Sequence, residues 1–489
     1  MYYVLSIDQS TSGTKATVFD TDGKLCARSD IAHRRIVSGE GYISHDVREI
    51  YDNCIKAAAE VIKKSAVLPE KFIAVSISNQ RETLAAWNGS TGEPVCDAVV
   101  WQCSRAAELC RGLSDYAQLI KSRTGLHFSP YFSAPKMAWI LQNIAGAKEL
   151  MDNGCLRFGT IDSWLIYKLT GEYKTDYSNA SRTGLLNLKS LRWDPDIMQI
   201  YGVSASALPE IASSDSVFGK TDLEGLLPSK IPVCGVLGDS HAALFANGCT
   251  RHGMAKVTLG TGSSIMMNVG KKMTVPTNGV VASAAWGIES SADYVLEGNI
   301  NYTGAVIKWL VNDVELIKSS SESGIIASGV ESSNGVYLVP AFSGLGAPYW
   351  NDKARAILCG MNTSTKKAHI VRAAEESIAY QIRDVVEALE ACSGTRISEL
   401  YADGGPTHDK FLMQFLADML SIPVIVSGIE ELSAGGAAYM AIEALKYNRL
   451  TDILSRRKTL SFMPSLDSNK RERLYSGWKS AVKMLTAAN

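Results

Sequence analysis

The chain has 489 residues, with 49 Lys plus Arg against 50 Asp plus Glu and a formal net charge of −1. A chain of this length has room for more than one domain, and its balanced charge without a long basic run removes the electrostatic case for nucleic acid or an anionic membrane surface as partner. No apolar stretch approaches the roughly 18 to 20 residues of a membrane span. The first apolar run is cut by Asp8, so no secretory signal is expected, and ten cysteines without a Cys-x-x-Cys pair suit a reducing, cytoplasmic setting.

The first predicted element is a hairpin: Tyr3 to Ile7 and Ala16 to Asp20 are strand-like runs, joined by the small-residue turn Asp8-Gln9-Ser10-Thr11-Ser12-Gly13-Thr14-Lys15. Backbone N–H groups and the hydroxyls of Ser10, Thr11 and Ser12 suit phosphate oxygens. Asp8 would stand where a magnesium ion meets them, and Lys15 where a cation could reach them. Taken alone, the turn reads equally well as an ordinary polar hairpin. Asp46 to Lys64 has apolar residues at helical spacing and is expected to be a core-facing helix, with Lys63-Lys64 at its solvated end.

A strand-like run from Phe72 to Ser76 leads to Asn79-Gln80-Arg81-Glu82-Thr83. A cation beside an anion suits a polyol, whose hydroxyls both donate and accept, although such a pair alone also reads as a surface ion pair. Trp101 and Tyr131 are candidates for the wall of such a site, or core aromatics. Further along, Pro232 to Leu237 reads as a strand that releases Asp239 just before a helix-like Ser240 to Phe245. Open α/β sheets present ligands at that point, which makes Asp239 the leading proton acceptor; the same residue can cap the helix. His241 is read as packing near the cleft wall in preference to a catalytic part.

The hairpin recurs half a chain later. Ala255 to Leu259 is strand-like, breaks at Gly260-Thr261-Gly262-Ser263-Ser264, and resumes as Ile265 to Val269. The repeat implies a duplicated domain with two phosphate loops facing one cleft, divided near Phe245 to Gly253 into domains 1–248 and 249–489. Serine-rich Ser319 to Ser323 is read as a loop, His369 to Cys392 as a core-facing helix after the solvated Lys366-Lys367, and Glu399 to Ala402 as a strand. Asp403-Gly404-Gly405-Pro406 is then a tight turn and Lys410 to Leu420 a helix, with glycines that let a nucleotide approach the backbone. The competing motifs are incomplete: Ser214 stands where a P-loop before Gly219-Lys220-Thr221 needs glycine, and Gly260-Thr261-Gly262 lacks the third glycine of a dinucleotide fingerprint.

These words, together with Val100-Trp101-Gln102-Cys103, Pro130-Tyr131-Phe132-Ser133, Thr175-Asp176-Tyr177-Ser178-Asn179-Ala180-Ser181-Arg182, Gly344-Leu345-Gly346-Ala347-Pro348-Tyr349-Trp350 and Phe411-Leu412-Met413-Gln414-Phe415, resemble those of the FGGY carbohydrate kinases from end to end. Within that family they look most like the glycerol kinases. The resemblance implies a two-domain α/β fold of the actin and hexokinase type. It also implies transfer of a phosphoryl group from ATP, with Mg2+, to a primary hydroxyl of glycerol or a similar small polyol. Asp239 becomes the general base and, with Asp8, a magnesium-facing carboxylate. Arg81, Glu82, Trp101, Tyr131, Asp239, Ser240 and Ser264 become the substrate site. Ser10, Thr11, Ser12, Lys15, Gly260, Thr261, Gly304, Lys308, Gly404, Gly405 and Lys410 become the ATP site. The family also implies a homo-oligomer, dimer or tetramer.

Three departures bear on the substrate. Lys15 stands in place of the arginine typical of glycerol kinases, and Ser240 and Ser264 replace a glutamine and an aromatic residue. The smaller side chains enlarge the expected pocket. A hydroxyl from Ser264, with Ser240 and His241, would then serve an extra CHOH unit of a four- or five-carbon polyol or ketose. The loop from Lys220 to Ile231 lacks the glycine and arginine arrangement that binds a sugar bisphosphate inhibitor in some relatives. A non-catalytic actin-like ATPase would use the same hairpins but has no reason to assemble Arg81, Glu82, Trp101, Tyr131 and Asp239. A transcription regulator on this fold would need a basic helix-turn-helix segment.

Overall fold

The computed structural model describes residues 1–487. Its centre is two sheets built on one plan. The six-stranded sheet runs in the order Val217–Thr221, Ile231–Gly238, Phe72–Asn79, Tyr3–Gln9, Gly13–Asp20, Leu25–Ala32. Its three middle strands, Ile231–Gly238, Phe72–Asn79 and Tyr3–Gln9, are parallel, and the hairpin of Tyr3–Gln9 with Gly13–Asp20 is antiparallel. The seven-stranded sheet repeats this with Ala255–Leu259 and Ser263–Gly270 as the hairpin and Ala255–Leu259, Leu400–Asp403 and Val424–Ser427 as the parallel set.

The parallel strands explain where the polar words fall. Their side chains are almost wholly buried, as expected for strands covered on both faces. Apart from buried serines, each therefore turns polar only toward the end where it emerges. Asp8 lies at the end of the first strand, Gln80 to Glu82 follow the second and Asp239 follows the third; Gly260-Thr261, Gly404-Gly405 and Gly428 to Glu431 take the matching places in the other sheet. All lie at carboxyl ends of parallel strands, the edge at which such sheets bind ligands.

Helices Val47–Ser65 and Ile161–Thr170 cover one face of the first sheet through Val47, Ile50, Trp164 and Ile166 against Leu5, Ile7, Val75 and Ile77. Asp46, expected as the first residue of that helix, lies just before it as its N-cap and accepts from the Arg48 N–H. The other face meets helices Asp239–Ala246 and Leu432–Ala444, whose core also takes in Met266, Trp286 and Val295 of the second sheet. The chain thus returns late to the first sheet. A Cβ on Gly436 would stand 1.9 Å from the Ala242 carbonyl oxygen, so glycine is what lets these two helices touch. A smaller sheet, Ile36–Val37, Ile43–His45, Ala98–Val99, Leu84–Asn88 and Leu156–Thr160, carries the segments that hold Trp101 and Tyr131 beside the cleft.

Ser319 to Ser323, expected as a loop, instead forms a short 3-10 turn, Ser320–Glu322, that runs into helix Ser323–Ser328. Serines disfavour helix interiors but serve well at helix starts, and here Ser323 Oγ returns to the Ser320 carbonyl at 2.7 Å.

Candidate active site

Asp239 is the first residue of its helix; the N-cap is Gly238. The expected capping role therefore does not hold, and the Asp239 carboxylate is free to face the cleft, 37% exposed, with Oδ1 accepting from the Ser240 N–H at 2.6 Å. Arg81 Nε lies 3.3 Å from that same Oδ1 as an ion pair. Glu82 adopts φ 64°, and its Oε1 accepts from Arg182 Nε at 2.6 Å. A left-handed glutamate is costly, which fits a turn dictated by the site rather than by local preference.

Two acidic partners of these groups come from far along the chain. Glu297, on strand Ser291–Ile300, accepts from Arg81 Nη1 and Nη2 at 3.0 and 2.9 Å and from Ser264 Oγ at 2.8 Å. Arg182 Nη1 lies 3.0 Å from its Oε2 as an ion pair without hydrogen-bond alignment. The two guanidinium charges hold the Glu297 carboxyl well below the usual carboxylate range despite burial. Glu297 was not read from the sequence, although one acid inside the apolar run Tyr294-Val295-Leu296 was a signal that something buried must pair with it.

Trp101 donates from Nε1 to Thr11 Oγ1 at 2.9 Å and meets Tyr131 edge to face at 5.4 Å between ring centroids, so the aromatic pair is tied to the turn after the first strand. Tyr131 leans on Phe132, and Lys136, buried beneath, donates to the carbonyls of both. Burial drives the Lys136 pKa down to about 7. His241 differs from its proposed use toward a longer substrate. It is wholly buried with Nε2 3.1 Å from Ser283 Oγ, and burial with Arg81 nearby keeps it neutral. Ser264 differs too, because its hydroxyl is already given to Glu297.

The two small-residue turns are tied from within. Ser10 donates from N and Oγ to the Gly13 carbonyl, both at 2.9 Å, and His33 Nε2 lies 3.0 Å from the Thr11 carbonyl. In the second loop the Gly260 and Thr261 carbonyls accept from Gly304 and Ala305 N–H groups at 2.9 and 3.0 Å, locking the loop onto helix Gly304–Asn312. Gly404 has φ 96°, and a Cβ there would lie 2.0 Å from the Leu259 carbonyl oxygen, whereas Gly405 faces open space.

A cavity of about 780 Å³ is lined by Gly260, Thr261, Gly304, Lys308, Gly405 and Lys410, all predicted ATP-site residues, together with Ser320, Ser321 and Ile325 of the segment expected to be a loop. A second cavity, about 750 Å³, is lined by Asp8, Lys15, Arg28, Gly404, Gly405 and Glu431. Gly405 and His408 border both. Arg81, Glu82, Trp101, Tyr131, Asp239, Ser240 and Ser264 line neither of these two, and neither do Ser10, Thr11 and Ser12. Lys15 is not free: its Nζ donates to Glu431 Oε2 at 2.7 Å, and Glu431 also pairs with Arg28.

Asp8 accepts from Ser78 Oγ at 2.7 Å, yet burial, opposed in part by Ser78 and Lys15 and aided by the charges of Asp239 and Glu431, pushes its pKa up to about 6. A carboxylate destabilised in this way is one that a divalent cation would relieve. Among the described residues no cluster of three or more His, Cys, Asp or Glu side chains stands ready for a metal. Asp8 and the neighbouring Asp239, whose charge acts on it, are the donors that fit magnesium, which is commonly held by one or two carboxylates and completes its shell with phosphate oxygens and water.

Family comparison agrees with this architecture. The N-terminal domain of the FGGY family of carbohydrate kinases matches residues 3–246 and its C-terminal domain residues 255–445. The chain is 48% identical to glycerol kinase 1 of Thermotoga maritima over 99% of each chain. It is 43% identical to the glycerol kinase of Alkaliphilus oremlandii over 98% of this chain and 96% of that one. A crystal structure of Plasmodium falciparum glycerol kinase with ADP superposes with a TM-score of 0.94 at 35% identity, covering 99% of this chain and 98% of that one. A xylulose kinase from Lactobacillus acidophilus, at 22% identity and a TM-score of 0.89 over 100% and 98% of the two chains, shares the fold. The chain belongs to the FGGY family of carbohydrate kinases.

Proposed function

We propose that the protein transfers the γ-phosphoryl group of ATP to a primary hydroxyl of glycerol. The observation that carries the reading is the meeting of Asp239 with Arg81 at 3.3 Å, at the strand ends that also bear the two phosphate loops. In the reaction the substrate oxygen bonds to the γ-phosphorus, the bond from that phosphorus to the β,γ-bridging oxygen breaks, and ADP leaves with the electron pair. The hydroxyl proton passes to Asp239. Little covalent work falls to the protein, so positioning and charge do most of it. Arg81 and Glu82 hold hydroxyls, Trp101 and Tyr131 bound the carbon chain, and Ser240 and Ser264 complete the floor. Ser10, Thr11, Ser12, Gly260 and Thr261 serve the phosphates, with Gly304, Lys308, Gly404, Gly405 and Lys410 along the nucleoside. Lys15 serves the phosphates once it exchanges Glu431 for them. Asp8 and Asp239 would hold magnesium, which would offset charge on the β- and γ-phosphates.

Glycerol is preferred over a longer polyol or ketose on two grounds. The curated relatives named glycerol kinase are 41 to 48% identical and the glycerol kinase structure 35%, whereas the xylulose kinase structures stand at 18 to 22%. The Ser264 hydroxyl and His241, offered in the sequence reading to an extra CHOH unit, are committed elsewhere. We further place the enzyme in the cytoplasm as a homo-oligomer. Its ten cysteines are free, and among the described residues no helix is long and apolar enough to cross a membrane. Sedimentation velocity tests the assembly. The substrate is tested by kcat/KM for glycerol against erythritol, xylitol, arabitol, erythrulose and xylulose in a coupled ADP assay. Glycerol should lead; a longer compound that exceeds it overturns the choice.

A further inference from the structure

Arg81 is the residue on which the polyol reading leans most, and it does not stand alone. Both terminal nitrogens of its fork are taken by Glu297 from strand Ser291–Ile300 of the second sheet, and only Nε is left toward Asp239, at 3.3 Å. Arg182 is shared in the same way, with Glu82 at 2.6 Å and Glu297 at 3.0 Å. The result is an alternating chain of buried charges, Glu82, Arg182, Glu297, Arg81, that ends on Asp239 at the cleft surface. Two cations and two anions alternate along it, and the Asp239 carboxylate stands at its exposed end.

Resting on the kinase reading above, we propose that Glu297 is the positioning residue of the polyol site. It takes both terminal nitrogens of Arg81, so that only Nε reaches Asp239, and it fixes the angle at which Arg81 is presented to the substrate. The physical reason is the bidentate geometry. A guanidinium gripped at both terminal nitrogens has its plane fixed. Without that grip, a buried arginine must find another anion, because an unpaired buried charge is far more costly than a rearranged one. Asp239, already 3.3 Å from Nε, is the carboxylate exposed at the cleft. Arg81 would then turn its terminal nitrogens onto it, and the site would lose a polyol ligand and tie up its proposed base in one motion. Ser264 gains a purpose by the same argument, since its hydroxyl satisfies Glu297 Oε1, an acceptor that would otherwise face the pocket with one partner fewer.

The test is a set of full-length variants, Glu297→Gln and Glu297→Asp, measured beside the wild type for glycerol kinetics, ADP binding by calorimetry and thermal unfolding. Glu297→Gln should lower kcat/KM for glycerol at least about 30-fold with a raised glycerol KM, while the Kd for ADP stays within about twofold. Glu297→Asp keeps the charge but loses the reach, and should recover part of the loss. If Glu297→Gln fails to fold, Glu297→Asp decides alone: a raised glycerol KM with unchanged ADP binding supports the assignment. Unchanged glycerol constants in a folded variant, or glycerol and ADP constants that worsen together with the melting temperature, overturn it. A wild type inactive on glycerol contradicts the kinase reading instead, and the two failures are told apart by that one control.

Discussion

Asp239 sits at the first turn of a helix, exposed to the cleft, with one cation and one backbone N–H for company. Replacing it by asparagine keeps the shape and removes the base, so turnover should fall about a hundredfold or more while ADP affinity hardly moves. Stopped-flow or steady-state rates with a parallel binding titration check this, and near-normal turnover would transfer the role to another group. His241 is a poor replacement, because it is wholly buried against Ser283. Arg81, Glu82 and Asp239 were legible in the sequence because each follows a buried strand and breaks its apolar pattern. Glu297 was not, because its partner Arg81 lies 216 positions away and no local periodicity links them. Side-chain direction was equally hidden: Ser264 was read correctly as small, but which group its hydroxyl answers is decided by the neighbouring strand.

At the scale of elements, the hairpins, the long helix and the Gly-Gly turn followed from period and turn chemistry. Helix Lys367–Ser393 lies within a residue or two of its sequence reading at each end. The serine-rich segment did not follow, because serine composition alone does not separate a loop from a capped helical turn. Two predictions belong here. Gly436→Ala pushes a methyl group against the Ala242 carbonyl, where the backbone must shift, and should destabilise by about 1 to 3 kcal/mol in denaturant unfolding. A neutral result would mean that the helices part freely. Glu375, on the long helix, is buried beside Asp409 with one carboxyl oxygen lacking a partner, and burial raises its pKa from 4.5 to about 8. The folded chain therefore keeps a proton that the unfolded chain releases, so this group's contribution to stability falls as pH rises from about 4.5 to 8. Glu375→Gln removes that slope and should gain on the wild type between pH 5 and pH 8 by several kcal/mol, on the order of 1.4 kcal/mol for each pH unit inside the window. Parallel stability profiles for the two proteins would contradict it.

The whole molecule is a duplication, and that was visible in sequence because both hairpins repeat the same strand, small-residue turn and strand. What sequence could not reveal is that helix Leu432–Ala444 returns to the first sheet and packs beside helix Asp239–Ala246, since such a contact leaves no periodic trace. This pair of helices joins the two halves beneath the cleft, and Glu297 with Arg81, and Glu431 with Lys15 and Arg28, join them across it. Both phosphate loops can reach one nucleotide only if the halves approach, so small-angle scattering should give a smaller radius of gyration with nucleotide and polyol than without. An unchanged radius would count against closure. The central claim, phosphoryl transfer to a polyol and not to water, is tested most directly by following ATP labelled in its γ-phosphate, with and without glycerol. Label should enter glycerol phosphate one for one with ADP formed, and ADP release should nearly stop when glycerol is withheld. Release of labelled inorganic phosphate at the same rate in both conditions would contradict it and make the protein an ATPase.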